Sequence, residues 1–427
     1  MTEAPGRARV VAIAAVLLLC CAASQFARNS HAVVAPDIAA ELGLPVQALG
    51  TIGGVLFLAA ALTMIPFGGL FDAVGARPVL AGKLALCAVG ALAFGWARSL
   101  DGLVVGRVLL GIGSAALIMG ALVVASRWYP PHAFGTIVGL TLATSHVGNL
   151  AATVPFAAVV GWMGWRHAFD VVALALAACA VAVWWLVRDA PPGHAYHTTP
   201  RPRVWASMRG VGAVLKLPGL RPVLAMGLCA YAGFSAVLAV WAGPFLRDRF
   251  GLDADARSRV LLAMALGIIA GNLLYAAIER RGLPRKRVAQ ASALANIAIL
   301  VWLALRAPWA SLPETVVAFT LLAALNCYTT TLIAHGRSLY PDPLIGRGMT
   351  TMNCCAVGGA ALLQIGSAQV ARPFGTAAGG LEPAGYSLVF AVLAAWVSVG
   401  LWIYRRAPES RPRAGPSAAG ATGPASR

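Results

Sequence analysis

The stretch "PFGGLFDAVGARPVLAGK", from Pro66 to Lys83, joins two long apolar segments and indicates how the chain is organised. It places Asp72 among glycines and follows it with Arg77, in a chain with only 15 acidic residues among 427. A helix that crosses the hydrocarbon core of a bilayer requires about 20 apolar residues, and both neighbouring segments are long enough. The stretch therefore predicts a short polar connection between two membrane-spanning helices.

The composition of the whole chain agrees with this interpretation. Hydrophobic residues make up 59% of it and charged residues 11%, and the mean hydropathy is +0.77. A soluble domain carries about 25% charged residues, so a surface that faces water over most of its area is excluded. The apolar runs are continuous and do not alternate with polar residues, which excludes a transmembrane β-barrel.

Apolar segments of spanning length recur along the chain, and we number them in order. The twelve spans lie at 10–35, 46–70, 79–97, 102–126, 134–161, 168–187, 220–245, 258–278, 288–305, 313–335, 347–370 and 384–404. Arg7 and Arg9 before the first span resemble the start of a signal peptide, but the further spans favour an uncleaved first helix. The sequence therefore predicts an all-α membrane protein with twelve transmembrane helices.

The basic residues predict the orientation of these helices. The formal net charge is +18, and 23 Lys and Arg lie in segments on the side of the termini, against 8 on the other side. Because cytoplasmic loops carry the excess of Lys and Arg, both termini are expected in the cytoplasm. The charge then reflects topology and does not predict a nucleic-acid partner. The Ala-, Gly- and Arg-rich composition is typical of bacteria with GC-rich genomes, so we expect a multi-pass protein of the inner (cytoplasmic) membrane.

Two short motifs occur twice and predict two pseudo-symmetric halves. Asp72 and Glu279 occupy matching positions 207 residues apart, and Tyr129 and Tyr340 match at a separation of 211. Parallel six-span repeats of this kind are typical of a large class of transporters. The predicted division is an N-terminal six-helix half at 1–187, a cytoplasmic linker at 188–219, a C-terminal six-helix half at 220–405, and a disordered cytoplasmic tail at 406–427.

The polar residues are distributed unevenly among the spans. Spans three, six, nine and twelve carry almost none, so we expect these helices at the periphery, facing lipid. Polar groups within a membrane face a bundle interior or a cavity. The other eight helices are therefore expected to surround a central path.

Two motifs carry a resemblance to the major facilitator superfamily over essentially the full chain. The loop motif G-x-L-x-D-x-x-G-x-R is matched by Gly68, Leu70, Asp72, Gly75 and Arg77. Span four carries R-x-x-x-G-x-G as Arg107, Gly111 and Gly113. Ala73 and Ala76 replace basic residues that are usual in the loop motif, so this match is reduced.

The resemblance implies a conformational latch, formed by Gly68, Asp72, Gly75, Arg77 and, in the second half, Glu279. In that family the loop holds the two halves together in the outward-open state. A carboxylate at this place can accept charge-assisted hydrogen bonds from a helix start or from an arginine. The alternative is a static loop carboxylate beside Arg77.

Arg28 lies in the middle of span one and shares a helix face with Ser24 and His31. An unpaired arginine at the bilayer centre costs at least about 2.5–3.5 kcal/mol, so it requires a partner. No carboxylate lies deep within any span. An anionic substrate is one candidate partner, and backbone carbonyls or Asp37 are the others.

Further polar residues on the inner helices complete the candidate substrate-binding set. Arg107 on span four is expected to pair either with substrate or with Asp101 or Asp37. The full set is Arg28, His31, Arg107, His146, Asn149, Tyr231, Asn326 and Tyr328. A residue of this kind, taken singly, more often forms a hydrogen bond to another helix than contacts a substrate. His31, His146 and His335 are the candidates for carrying a proton.

The predicted function is secondary active transport of a small organic solute, with an anion favoured by Arg28, through alternating access. The alternative is proton-driven efflux of a drug- or siderophore-like compound. No P-loop, nucleophile elbow, metal-ligand spacing or catalytic carboxylate pair is present, so an enzyme is not predicted and no cofactor is expected. The expected partners are the substrate, protons and the lipid bilayer, and the expected state is a monomer.

Overall fold

Helices follow one another along the chain in the computed structural model, which describes residues 7–129, 131–192, 196, 212, 214–217, 219–340, 345–376 and 380–409. In the first half they are α1 (Arg7–Asn29), α2 (His31–Glu41), α3 (Val46–Ala73), α4 (Ala76–Gly95), α5 (Leu100–Ser114), α6 (Leu117–Trp128), α7 (Pro131–Ala151) and α8 (Val154–Leu186). In the second half they are α9 (Leu220–Ala236), a π-helical turn (Val237–Trp241), α10 (Ala242–Phe250), α11 (Ala254–Arg280), α12 (Arg285–Arg306), α13 (Leu312–Asn326), α14 (Tyr328–Leu339), α15 (Ile345–Ala371), a 3₁₀ turn (Arg372–Phe374) and α16 (Pro383–Tyr404).

The described helices agree with the twelve predicted spans. Eleven helical segments of the described chain are long and apolar enough to cross a membrane, and one of them, Gly139–Leu186, contains 48 residues. A span needs only about 20 residues, and Gly164 in this segment has a positive φ of 79° that breaks the helix. This segment therefore supplies spans five and six, and the all-α fold with two pseudo-symmetric halves is confirmed.

The repeated motifs adopt matching backbone conformations in the two halves. Gly75 and Gly282 both have a positive φ, of 114° and 68°, at the turn that follows the second span of each half. Tyr129 and Tyr340 both cap the C-terminal end of a helix in extended conformation, after α6 and after α14. Most of the predicted linker, the end of the predicted tail, and Pro130 and Pro341 lie outside the described residues.

Spans one, four, seven and ten each contain a short interruption of the α-helical hydrogen bonding. Span one breaks at Ser30 between α1 and α2, and span four breaks where Ala116 takes a left-handed φ of 59°. Span seven contains the π-helical turn Val237–Trp241, and span ten breaks at Cys327. Such interruptions release backbone groups from the regular ladder and often mark functional sites.

The halves pack most closely where α3 meets α15. A Cβ added to Gly50 would lie 2.1 Å from Ala368 Cβ, and one added to Gly54 would lie 2.5 Å from Ile365 Cγ1. Gly50 and Gly54 are spaced as G-x-x-x-G, which lets two helix backbones approach closely in a membrane.

Helix α4 agrees with the predicted third span but contains a buried basic residue. It exposes large apolar side chains such as Val89, as expected for this span. Lys83, which was counted with the cytoplasmic segments although the predicted span 79–97 contains it, is 2% exposed. Because α4 begins at Ala76, Lys83 lies two turns inside the helix.

Candidate functional site

Arg28 occupies the last turn of α1, directly before the break in span one. The residue is half-buried, and its Nε atom is buried without a hydrogen-bond partner. Among the described residues, no carboxylate forms an ion pair with it. Tyr231 on α9 and Cys87 on α4 lie near it. Arg28 is thus a cation at the centre of the bundle, close to both halves.

Arg107 has different surroundings from Arg28. Its side chain is fully buried, Nε donates to the Ile52 carbonyl at 3.0 Å, and one terminal nitrogen donates to the Ala27 carbonyl at 3.4 Å. Asp37, one of its expected partners, pairs instead with Arg257. Arg107 therefore joins α5 to α3 and to the end of α1, and so fixes the turn that carries Arg28. Its second terminal nitrogen is buried without a partner.

His31 begins α2 on the other side of the break. Its Nδ1 lies 3.2 Å from the Arg28 carbonyl, and its buried Nε2 has no hydrogen-bond partner. A Cβ on Gly53 would lie 3.5 Å from this Nε2 and 2.7 Å from Gln364 Oε1, which is also buried without a partner. Gln364 belongs to α15 and donates to Ser235 Oγ on α9 at 2.9 Å. His31 therefore faces a buried polar cluster of the second half.

Two contacts made by asparagine side chains form a second polar region at the centre of the bundle. Asn29 donates to Asn149 Oδ1 at 2.7 Å within the first half. The side-chain nitrogen Nδ2 of Asn272 on α11 lies 3.0 Å from His146 Nε2 on α7, and this contact joins the two halves. A cavity of about 20 Å³, enough for about one water molecule, lies between these helices and is lined in part by Asn29, Asn149 and Thr153.

The structure separates the remaining predicted residues into two groups. Tyr231 is half-buried and its ring packs against Phe57 of the first half, with 6.4 Å between centroids. Asn326 and Tyr328 are buried on either side of the break in span ten. The Tyr328 hydroxyl lacks a hydrogen-bond partner and lies near Tyr275, Cys229 and Tyr404, all of the second half. Tyr231 thus lies at the boundary between the halves, whereas the surroundings of Tyr328 belong to the second half.

Lys83 is a buried cation that the sequence analysis did not include in the site. Its Nζ donates to the Ile112 carbonyl at 2.7 Å and lies 3.4 Å from the centroid of the Phe67 ring. Arg28 on α1 lies near it. The signal that could have found it is its place inside the predicted span 79–97, because a basic residue seven positions after the helix start at Ala76 lies about 10 Å along the helix axis.

The described part of the predicted latch makes contacts within its own half and with the start of the predicted linker. The backbone N–H of Arg77 donates to Asp189 Oδ1 at 2.9 Å, and its Nε donates to the Trp184 carbonyl at 2.8 Å. Glu279 accepts from Arg285 in the same turn. The side chain of Asp72, and the surroundings of Gly68, lie outside the described residues, so the latch stays a prediction.

Contacts between the halves cluster at the end of the bundle that lies away from the termini. Arg257 donates to Asp37 Oδ1 at 2.8 Å, and Arg247 donates to the Pro36 carbonyl at 3.3 Å. Gln47 donates to the Arg372 carbonyl at 3.3 Å. We refer to Asp37, Arg257, Arg247 and Gln47 as the distal gate.

Comparison with known proteins agrees with this architecture. A bacterial homologue of the human lysosomal transporter Spinster has a similar fold, with a TM-score of 0.72 and 15% identity over 93% of this chain and 97% of that one. The nitrate/nitrite transporter NrtP of Picosynechococcus sp. is 30% identical over 210 residues, which are 43% of this chain and 38% of the relative. The probable sulfoacetate transporter SauU of Cupriavidus necator is 25% identical over 252 residues, 57% of this chain and 58% of the relative.

This chain therefore spans less than two thirds of the length of these two curated relatives. The model of the Major Facilitator Superfamily itself matches residues 17–364, which is most of the chain. With its twelve spans and repeated halves, this multi-pass membrane protein belongs to the Major Facilitator Superfamily.

Proposed function

We propose that this protein moves a small organic anion across the cytoplasmic membrane by alternating access, with Arg28 as the principal anion-binding residue. The observation that carries the proposal is the Nε of Arg28, which is buried at the break of span one without a hydrogen-bond partner. A charge removed from water requires a counter-charge, and a transported anion supplies one. The names of the relatives, which include nitrate, nitrite and sulfoacetate transporters, support an anionic substrate.

The chemistry of arginine defines what Arg28 binds. Its planar guanidinium can donate two parallel hydrogen bonds to a carboxylate, sulfonate or phosphate, whereas a lysine ammonium acts as a point charge. Arg107 cannot do the same at its Nε, because that atom already donates to the Ile52 carbonyl. In this proposal Arg107 positions the substrate site, and Arg28 contacts the substrate.

The side chains around Arg28 have complementary roles in the proposed site. Tyr231, Asn149 and His146 offer hydrogen-bonding groups at or near the boundary between the halves, and His31 connects the Arg28 turn to the second half. Asn326 and Tyr328 stay candidates for substrate contact in a conformation in which span ten has moved. Alternating access requires the distal gate to open, so the halves at 1–187 and 220–405 are proposed to rock about the substrate.

Orientation is part of the proposal. The excess of basic residues at the end that holds the termini favours both termini in the cytoplasm, which makes the distal gate the external gate. In the full chain without native cysteines, a cysteine at position 205 should react only from the cytoplasmic side, and one at position 253 only from outside. The reverse labelling pattern would contradict this orientation. We further propose a monomer, because each twelve-span chain contains a complete central path.

The function is tested with purified protein in liposomes, with sulfoacetate as the probe anion. Arg28→Lys should keep the charge and the amount of folded protein but weaken sulfoacetate binding more than tenfold, because the two-bond contact is lost. Arg28→Ala should abolish binding. Arg98→Lys, which changes an exposed arginine, is the matched control and should bind as the wild type does.

Two results would contradict the proposal. Intact affinity in Arg28→Lys would remove the bidentate anion site. Loss of folded protein in Arg28→Ala, with sulfoacetate binding retained in Arg28→Lys, would identify a structural arginine instead.

A further inference from the structure

The position of Lys83 raises the question of why an ammonium group is buried in a lipid-facing helix. Its Nζ makes one hydrogen bond, to the Ile112 carbonyl at 2.7 Å, and contacts the Phe67 ring. Ile112 lies in the last turn of α5, where the break at Ala115 and Ala116 leaves carbonyls without N–H partners from the next turn. Lys83 therefore stabilises the break in span four, as basic side chains do at helix C-termini.

This contact leaves most of the hydrogen-bonding capacity of the Lys83 ammonium group unused. A lysine ammonium has three N–H donors, and the Ile112 carbonyl accepts only one hydrogen bond from it. Among the described residues, no carboxylate forms an ion pair with Lys83. A neutral side chain such as glutamine could donate the same bond without placing a charge in the membrane, so the bond to Ile112 does not by itself account for the charge.

Helix packing brings a second cation towards Lys83. Ser24, one turn before Arg28 on the same face of α1, donates to the Ser114 carbonyl at 3.3 Å, two residues after the Ile112 carbonyl that accepts from Lys83. Two like charges in a medium of low dielectric constant repel each other strongly. The pair therefore leaves two positive charges in the interior of the first half, where no described carboxylate offsets either of them.

We infer that Lys83 and Arg28 together select a substrate with two negative charges, a small organic dianion with one anionic group directed to each cation. The inference rests on the proposed anion site at Arg28 and adds to it the charge of the substrate. The Arg28 guanidinium binds one group through paired hydrogen bonds, and the Lys83 ammonium attracts the second as a compact charge on a flexible stem. A monoanion offsets only one of the two charges and binds more weakly.

The probe is sulfoacetate, which carries a sulfonate and a carboxylate, and its controls are its two halves, methanesulfonate and acetate. Binding to the purified full-length protein is measured by titration calorimetry at pH 6.0. The wild type should bind sulfoacetate at least tenfold more tightly than either monoanion. Lys83→Gln keeps a donor for Ile112 and should lose this tenfold preference while binding methanesulfonate as before. Lys83→Arg should restore the preference, and Lys216→Gln, at an exposed lysine, should not change it.

Each outcome separates this inference from the proposed function. Equal wild-type affinity for sulfoacetate and methanesulfonate would overturn the dianion inference and leave the anion site at Arg28 intact. An unchanged preference in Lys83→Gln would overturn it as well. If Lys83→Gln weakens all three probes equally, Lys83 acts only on the structure of span four. If Arg28→Ala changes the binding of none of them, the proposed function itself fails.

Discussion

Asp37 and Arg257 form an ion pair across the two halves of the protein, with 2.8 Å between Arg257 Nη2 and Asp37 Oδ1. Asp37 belongs to α2, after the break in span one, and Arg257 belongs to the first turn of α11. The Arg257 side chain is only 5% exposed, whereas that of Asp37 is 41% exposed. A conformational change that opens the distal gate must separate this pair and expose the arginine to water.

Removal of the carboxylate should favour the open distal gate. In Asp37→Asn the buried Arg257 guanidinium loses its counter-charge, and removal of one partner of a buried pair is strongly unfavourable for the state that keeps the other partner buried. We expect the open population to increase at least tenfold. Spin labels at positions 40 and 254, across the gate, should report a longer distance. Asp101→Asn, at an exposed carboxylate on the same side of the bundle, should leave the distance unchanged.

Asp72→Asn should shift the same equilibrium in the opposite direction. The family resemblance implies that the Asp72 loop holds the halves together in the outward-open state, in which the distal gate is open. Loss of one charge-assisted bond, worth about 1.5–3 kcal/mol, changes the ratio of states roughly tenfold or more. The spin labels at positions 40 and 254 should then report a shorter mean distance, and transport should be slower. Wild-type transport with unchanged distances would show that Asp72 is a static loop residue.

The sequence was sufficient for the membrane class, the number of spans and the repeated halves, because these depend on runs of apolar residues and on motif spacing. It also identified Arg28 and His31, since an ionisable residue in the middle of an apolar run is conspicuous. It did not reveal the breaks in spans one, four, seven and ten. A break depends on backbone conformation, and Ala116 adopts its left-handed φ without any glycine or proline to indicate it.

Two other features required tertiary structure. Lys83 was counted with the cytoplasmic basic residues because it lies near the start of the predicted span 79–97, and only the packing of α4 shows that its side chain is buried. The pairing of Asp37 with Arg257 joins residues 220 positions apart, and no local pattern relates them. Arg107 could be recognised as an intramembrane cation, but its backbone carbonyl partners on α1 and α3 could not be identified without the packing of those helices.

The close contact between α3 and α15 should not tolerate a larger side chain at Gly50. In Gly50→Ala the new Cβ would lie 2.1 Å from Ala368 Cβ and 2.7 Å from the Gln364 carbonyl, so the helices must separate. Overpacking of this kind costs about 1–3 kcal/mol, which should lower the melting temperature in detergent and reduce transport. Gly82→Ala, where a Cβ meets nothing within 4 Å, is the matched control and should melt as the wild type does.

A compensating substitution makes this test specific to the interface. Adding Ala368→Gly to Gly50→Ala removes the closest of the two contacts and should restore part of the lost melting temperature. A melting temperature for Gly50→Ala equal to that of the wild type would show that α3 and α15 do not pack in this way in the membrane.

His31 is expected to determine how transport depends on pH. Its Nδ1 contacts the Arg28 carbonyl, and its buried Nε2 and Gln364 Oε1 of the second half both lie close to Gly53. A proton on Nε2 would allow His31 to donate to Gln364 Oε1 across the halves, whereas neutral His31 with its proton on Nδ1 offers only an acceptor there. Protonation should therefore favour the conformation in which the halves meet at this point.

His31→Gln should retain sulfoacetate binding within about threefold, because Arg28 is unchanged, but transport measured between pH 5 and pH 8 should lose most of its pH dependence. Gln364→Leu removes the acceptor and should flatten the profile in the same way while His31 is still present. His167→Gln, at an exposed histidine, serves as the control and should keep the wild-type profile. A profile that is as steep in His31→Gln as in the wild type would assign the titration to another group and leave His31 with a purely structural contact to the Arg28 turn.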